Sequence, residues 1–212
     1  DLEMDTSGAF AYNRSTNTYY TWGPGTYLGD PQAVGPKTLS YATAMVAPPM
    51  PDGVMLEQLQ VSGYKYYINQ GGDEVRRDGL TYYALGSDGR IYVLGENNWG
   101  QMGQGTQRGL TSWTTVKNSA GTAPLEGVVF ISAQNNTLAA ATASAVLEDG
   151  TLLSWGYEDS YSLGIGSGDE FVLLPTKPAW LNGDVPPVYA VENGGHFTAA
   201  IAVGKDLSLI HI

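Results

Sequence analysis

Few side chains in this chain could do chemistry, and they are scattered. Its 212 residues include no cysteine and two histidines, which removes thiolate nucleophiles, thiolate metal sites and disulfides. His196 is the right type for a general base or a metal ligand, but no spaced carboxylates or second internal histidine accompany it, and it reads as a structural residue. The carboxylate pairs Glu158-Asp159 and Asp169-Glu170 would need a partner held opposite them for acid–base work. Both fall in Gly/Ser-rich stretches and read as solvated loop charge. Gly100–Gly105 and Gly164–Gly168 could cradle a phosphate, yet neither opens a helical pattern or carries the Lys-Ser/Thr of a phosphate loop. They read as turns in which glycine supplies positive φ. With no Gly-x-Ser-x-Gly elbow either, the sequence assigns no catalytic residue, no metal site and no cofactor.

Aromatic residues are the better candidates. Tyr64, Tyr66 and Tyr67 lie in the polar stretch Ser62–Gly79, and Trp99, Trp113, Tyr157 and Tyr161 lie in predicted loops. Exposed aromatics stack on sugars or anchor a protein partner, so these seven form the expected ligand-binding set, for protein or glycan. Asn13-Arg14-Ser15 and Asn135-Asn136-Thr137 match the glycosylation acceptor pattern.

The charge balance narrows the partner. Ten basic residues stand against 21 acidic ones, a net charge of -11. Nucleic acid and anionic membranes select basic surfaces, and the one basic pair, Arg76-Arg77, is flanked by Asp73, Glu74 and Asp78. No apolar run reaches membrane-spanning length. The absence of cysteine suits a cytosolic or an exported protein, and the reading leans towards an extracellular or cell-surface one.

The elements that would position these residues come from an internal repeat. Asp88-Gly89, Gly95, Gly103 and Gly105 return 61 residues later as Asp149-Gly150, Gly156, Gly164 and Gly166. A fixed offset across several landmarks outweighs local propensity as a fold signal. Each Asp-Gly sits between apolar runs and predicts a tight hairpin with positive φ at both central residues. A weaker copy runs from Ala9 through Thr16-Asn17 to Trp22-Gly23. Strand starts recur at Pro51–Leu56, Leu125–Phe130 and Asp184–Tyr189, with fourth strands expected around Thr111–Val116 and Phe171–Leu174. Ser62–Gly79 is then an insertion, a long hairpin or a surface loop, and insertions collect on one rim of a repeat array. The units read 1–46, 47–123, 124–183 and an incomplete 184–206. The expected architecture is all-β, a partial β-propeller of about three four-stranded antiparallel blades.

Two blocks carry a family resemblance. Ser87-Asp88-Gly89-Arg90-Ile91-Tyr92 with Asn97–Gly105, and Leu147–Gly156 with Ser162–Gly166, resemble the repeat of the regulator of chromosome condensation. Gly194-Gly195-His196-Phe197-Thr198-Ala199-Ala200 resembles the strand that opens a further repeat. Leu94 stands where the family has Trp, and Tyr161-Ser162 where it has Gly-Gln. The resemblance implies a seven-bladed propeller, scaffold roles for Trp22, Gly23, Asp88, Gly89, Gly95, Gly103, Asp149, Gly150, Trp155, Gly156, Gly164 and His196, and core-facing positions for Trp22 and Trp155. It also implies that the remaining blades lie in a longer chain. Leu207–Ile212, which includes His211, resembles a translated library-adapter end and is expected to be non-native. The expected function is a non-enzymatic protein- or glycan-binding module of a larger, surface-exposed protein. The alternatives are a guanine nucleotide exchange factor-like regulator of a small GTPase and a propeller-type protein inhibitor of an enzyme.

Overall fold

The computed structural model describes residues 1–4, 7–33, 35–134, 141–158, 161–166, 168–182, 186–194, 197–203 and 207–211. Among them, every strand pairs antiparallel with its neighbour in the chain, in four separate meanders. The first holds β1 (Leu2–Met4), β2 (Ala9–Asn13), β3 (Thr18–Thr26) and β4 (Lys37–Met45). The second holds β5 (Leu56–Gln70), β6 (Asp73–Gly86), β7 (Ile91–Gly95) and β8 (Leu110–Thr115). The third holds β9 (Val128–Ala133), β10 (Thr142–Leu147), β11 (Leu152–Tyr157) and β12 (Phe171–Thr176). The fourth holds β13 (Val188–Asn193), β14 (Thr198–Val203) and β15 (Leu207–His211), so the backbone of the expected non-native tail pairs with β14. A short 3-10 turn, Ala179–Asn182, precedes the fourth sheet.

The 61-residue offset is kept in strand register. Thr81 pairs with Gly95 and Leu85 with Ile91, while Thr142 pairs with Gly156 and Val146 with Leu152. The three buried clusters lie between sheets rather than inside any one. Phe10, Tyr82 and Trp113 help join the first sheet to the second, Tyr83, Ile131 and Trp155 the second to the third, and Val146, Leu152 and Val191 the third to the fourth. Each sheet therefore buries its faces only by stacking on its neighbours, which is the physics of a propeller blade.

Both Asp-Gly turns depart from the expected geometry. Only the glycines have positive φ, 70° at Gly89 and 80° at Gly150. Gly89 N–H donates to Gly86 O and Gly86 N–H to Arg90 O, and Gly150 N–H donates to Leu147 O and Leu147 N–H to Thr151 O. This is a type I turn closed by a glycine bulge, a three-residue loop. Aspartate takes the turn position at which its carboxylate accepts a backbone bond two residues on, from Arg90 N–H and Thr151 N–H at 3.2 and 2.8 Å. In the first sheet the left-handed turn residue is Asn17, at φ 51°.

Trp22 is also corrected. Trp155 is fully buried and its indole N–H donates to Gln101 O of the preceding sheet at 2.6 Å. Trp22 is only half-buried, since among the described residues its sheet packs against the second sheet alone. His196 lies outside the described residues, as do Asp159 and Asn135–Thr137.

Candidate binding face

One pair of strands outgrows its blade. β7 pairs with β6 only over Thr81–Leu85, yet β5 and β6 stay paired out to Gln70 and Asp73. The insertion is thus an arm: one regular hairpin that leaves the blade at Tyr64–Gly79 and turns at Gly71-Gly72. Alternation along the strands divides it. Tyr64, Tyr66, Ile68, Val75 and Arg77 share one face, and Lys65, Tyr67, Asn69, Glu74, Arg76 and Asp78 the other. Asn69 accepts a bond from Gly72 N–H, and the Arg77 guanidinium donates to Gln70.

The root of the arm is locked by a carboxylate that no sequence signal marks. Glu96 follows the repeat glycine Gly95 and is 9% exposed. Its Oε1 accepts from the Tyr27 hydroxyl at 2.7 Å and from the Tyr66 hydroxyl at 3.3 Å. One buried carboxyl group therefore ties the first sheet, the second blade and the arm together. Burial first, and the Glu96 charge second, push the phenols of Tyr27 and Tyr66 above their ordinary range. Gly79, opposite Tyr64 in the ladder, leaves room for the Tyr64 ring: a Cβ there would stand 2.8 Å from Tyr64 Cζ.

From this root a run of aromatic rings crosses to the next blade. Tyr64 lies 5.7 Å from Tyr66 and 6.2 Å from Trp99, centroid to centroid. Trp99 lies 4.9 Å from Tyr157 and stacks on Phe171 at 6.0 Å and 18°. The loop carrying Trp99 is pinned from inside. Asn97 Nδ2 donates to Thr106 O and Arg108 O while its Oδ1 accepts from Met102 N–H. Gln101 Nε2 donates to Glu96 O and Thr81 Oγ1, and its Oε1 accepts from Trp99 N–H. The Gly-rich loop has these amides already engaged, Gly103 N–H within the loop to Gly100 O and Gly105 N–H to Leu173 O of β12 in the next sheet, so it is a turn and not an anion cradle.

The structure separates the seven aromatic candidates. Tyr67 and Tyr161 are exposed, at 63% and 67%, and Tyr161 holds a left-handed φ of 64°, rare for a bulky residue. Tyr66, Trp99 and Tyr157 are half-buried, each with part of its surface on the outside. Tyr157 ends β11 rather than lying in a loop. Tyr64 and Trp113 do not face a ligand. Tyr64 is fully buried beneath Tyr66 and Trp99, while Trp113 sits in β8, packs against Phe10 and Tyr82 and donates its indole N–H to Val46 O. Trp113 was expected in a loop and Tyr64 in a long hairpin or a surface loop, and neighbouring elements, distant in sequence, cover both.

Glu158 corrects the reading of its pair as solvated charge. It is 8% exposed, and its Oε1 accepts from Ile165 N–H at 3.2 Å. Burial pushes its carboxyl above the ordinary glutamate range. Phe171 and Tyr27 join Glu96 as site residues missing from the sequence reading. Phe171, an aromatic opening a predicted strand beside the Gly-rich loop, is the one that pattern could have flagged.

Four stacked meanders with inter-sheet cores define a β-propeller repeat protein. Residues 149–201 match the regulator of chromosome condensation (RCC1) repeat. The chain superimposes on human WBSCR16 with a TM-score of 0.66 and 16% identity, covering 99% of this chain and 46% of that one. It superimposes on yeast RCC1 (Prp20), in the crystal structure with Kap60, with a TM-score of 0.65 and 15% identity, covering 97% and 42%. The Prp20p crystal structure from Saccharomyces cerevisiae gives 0.67 and 16%, covering 97% and 44%. At these identities the likeness concerns the fold. The chain spans less than half the length of each of these structures.

Proposed function

We propose that this chain is a non-enzymatic binding module whose arm-bearing face holds a protein or a glycan. One observation carries the reading: the ring run Tyr66–Tyr64–Trp99–Tyr157/Phe171 crosses a blade junction on pinned backbone. Aromatic groups fixed before binding offer contact area at little ordering cost, and the exposed Tyr67 and Tyr161 flank them. A protein ligand has further support: the solved likenesses include Prp20 bound to Kap60, and a Prp20p structure whose description includes binding to Gsp1p and histones.

Capture of a partner from secreted or surface proteins, run beside a glycan array, tests the reading. Tyr67→Ala and Tyr161→Ala replace exposed side chains and should leave folding intact while weakening capture about tenfold or more, the range of a binding hot spot. Binding that survives both changes together with Trp99→Ala counts against this face. The repeat match to the regulator of chromosome condensation makes nucleotide exchange the competing activity. Acceleration of nucleotide release from a small GTPase by orders of magnitude would replace the binding-module reading.

A further inference from the structure

The opposite face, where the Asp-Gly turns lie, carries a feature repeated at every blade junction. The first strand of each sheet from the second on, β5, β9 and β13, is the inner one that neighbours its counterpart in the next sheet, and each has a bulge at its start. The register skips Glu57 between Leu56↔Gly86 and Gln58↔Leu85. It skips Val129 between Val128↔Leu147 and Phe130↔Val146, and Tyr189 between Val188↔Ala202 and Ala190↔Ile201. A bulge turns its side chain out of the ladder, and all three are exposed, Val129 at 52% and Tyr189 at 70%. Met55, just ahead of Glu57, is 66% exposed.

These residues edge three successive notches. A notch of about 580 Å³ between the first and second sheets is lined by Tyr12, Tyr19, Asp52 and Met55. One of about 330 Å³ between the second and third is lined by Glu57, Leu85, Val129 and Glu148. One of about 480 Å³ between the third and fourth is lined by Phe130, Val146, Glu148, Asp149, Pro187 and Tyr189. The charge along the row is one-sided. Arg14 and Arg90 are engaged by Asp1 and Glu126, whereas Asp52, Glu57 and Glu148 form no ion pair among the described residues. Asp149 stays ionised to low pH, chiefly through its bond from Thr151 N–H, with Lys177 at its flank.

We propose that this turn face is a second docking surface, for an extended cationic segment of a protein partner that seats large apolar side chains in successive notches. The inference rests on the reading of the chain as a protein-binding module, and it assigns that module a second face and a partner chemistry. Carboxylates beside exposed apolar side chains such as Met55, Val129 and Tyr189 select cationic ligands that also carry apolar groups. Notches repeated once per blade suit a linear chain with side chains at intervals. Further blades would add beside the first and fourth sheets and leave this face open. A second copy would bring a net charge of -11 against the same charge, which disfavours pairing.

The test uses a fluorescent 16-residue peptide of Lys, Ser and Leu, with counterparts in which Glu replaces Lys or Ser replaces Leu. The chain should bind the first at least tenfold more tightly than either counterpart, and less tightly as salt rises. Glu57→Lys with Glu148→Lys, and separately Val129→Ser with Tyr189→Ser, should each weaken binding about tenfold at unchanged melting temperature. Tyr161→Ala on the arm face should not alter it. The proposal is overturned if the Glu peptide binds equally, if neither double variant weakens binding, or if sedimentation shows a dimer that those variants dissolve. A chain that ignores the Lys peptide but still captures a partner through Tyr67 and Tyr161 loses this inference and keeps the binding-module reading.

Discussion

Single residues set how closely strands approach. Gly23, Gly95 and Gly156 hold φ of 106°, 121° and 109°, where a Cβ would run into the carbonyl oxygens of Ser7, Leu80 and Ala141. Both the dihedral and the contact exclude a side chain. Gly156→Ala is therefore expected to cost more than about 2 kcal/mol. Gly53→Ala, at φ 84° in open space, should cost only about 1 kcal/mol from strain. Denaturant titration of the two variants checks this, and equal losses would contradict it. The Glu158 site shows the same local logic with charge. One repeat earlier stands Asn97, which donates to two carbonyls as well as accepting. Glu158 has no N–H to donate, and its Oε2 is buried with no hydrogen bond among the described residues. A carboxyl whose folded pKa lies above its unfolded value makes folding less favourable as pH rises through the interval between them. Below the ordinary value of about 4.5 both states are protonated and the effect vanishes. Glu158→Gln should thus raise the melting temperature at pH 7 and change it much less at pH 4.

Elements carry the next set of constraints. The root of the arm is held by bonds that converge on Glu96. Glu96→Ala removes the acceptor of Tyr27 and Tyr66, and should destabilise by about 1–3 kcal/mol per buried group left without a partner. It should also speed tryptic cleavage at Arg76 and Arg77 on the arm, and unchanged cleavage would mean that the ladder alone holds the arm. Inner strands are sheet edges and need their backbone groups answered. Gln58 Nε2 donates to Ile131 O and its Oε1 accepts from Ile131 N–H, and Gln60 accepts from Ala133 N–H. One junction on, Ser132 plays the part of Gln60, bonded from Asn193 N–H and Nδ2, while Phe130 stands where Gln58 was. Gln58→Ala should cost about 1–3 kcal/mol by leaving Ile131 unanswered, and a cost near zero by chemical denaturation would assign that staple to water.

At the scale of the whole molecule, stability adds up sheet by sheet through neighbour interfaces. The second and third sheets have a neighbour on both sides, and the first and fourth sheets of this chain on one. Amide exchange should therefore be slowest in β6, β7, β10 and β11 and fastest in β1, β2, β14 and β15. Uniform protection would show that the four sheets unfold as one unit. The two broad faces also differ, one carrying the arm and its rings, the other the turns and notches, so the two proposed partners are expected to bind without competing. Local chemistry repeated at a fixed spacing is readable along the sequence. The Asp-Gly turns, the glycines at close strand contacts, the strand alternation and the offset of 61 follow from dihedral preference and near neighbours, and they set the four-sheet architecture. Whether Tyr64 or Tyr67 meets solvent, whether Glu158 is dry, and that Glu96 gathers Tyr27 and Tyr66 depend on surfaces brought together from positions as far as 69 residues apart. Burial belongs to packed neighbours, and no local pattern encodes it, so only the tertiary structure decided which of the residues able to bind a partner are exposed to it.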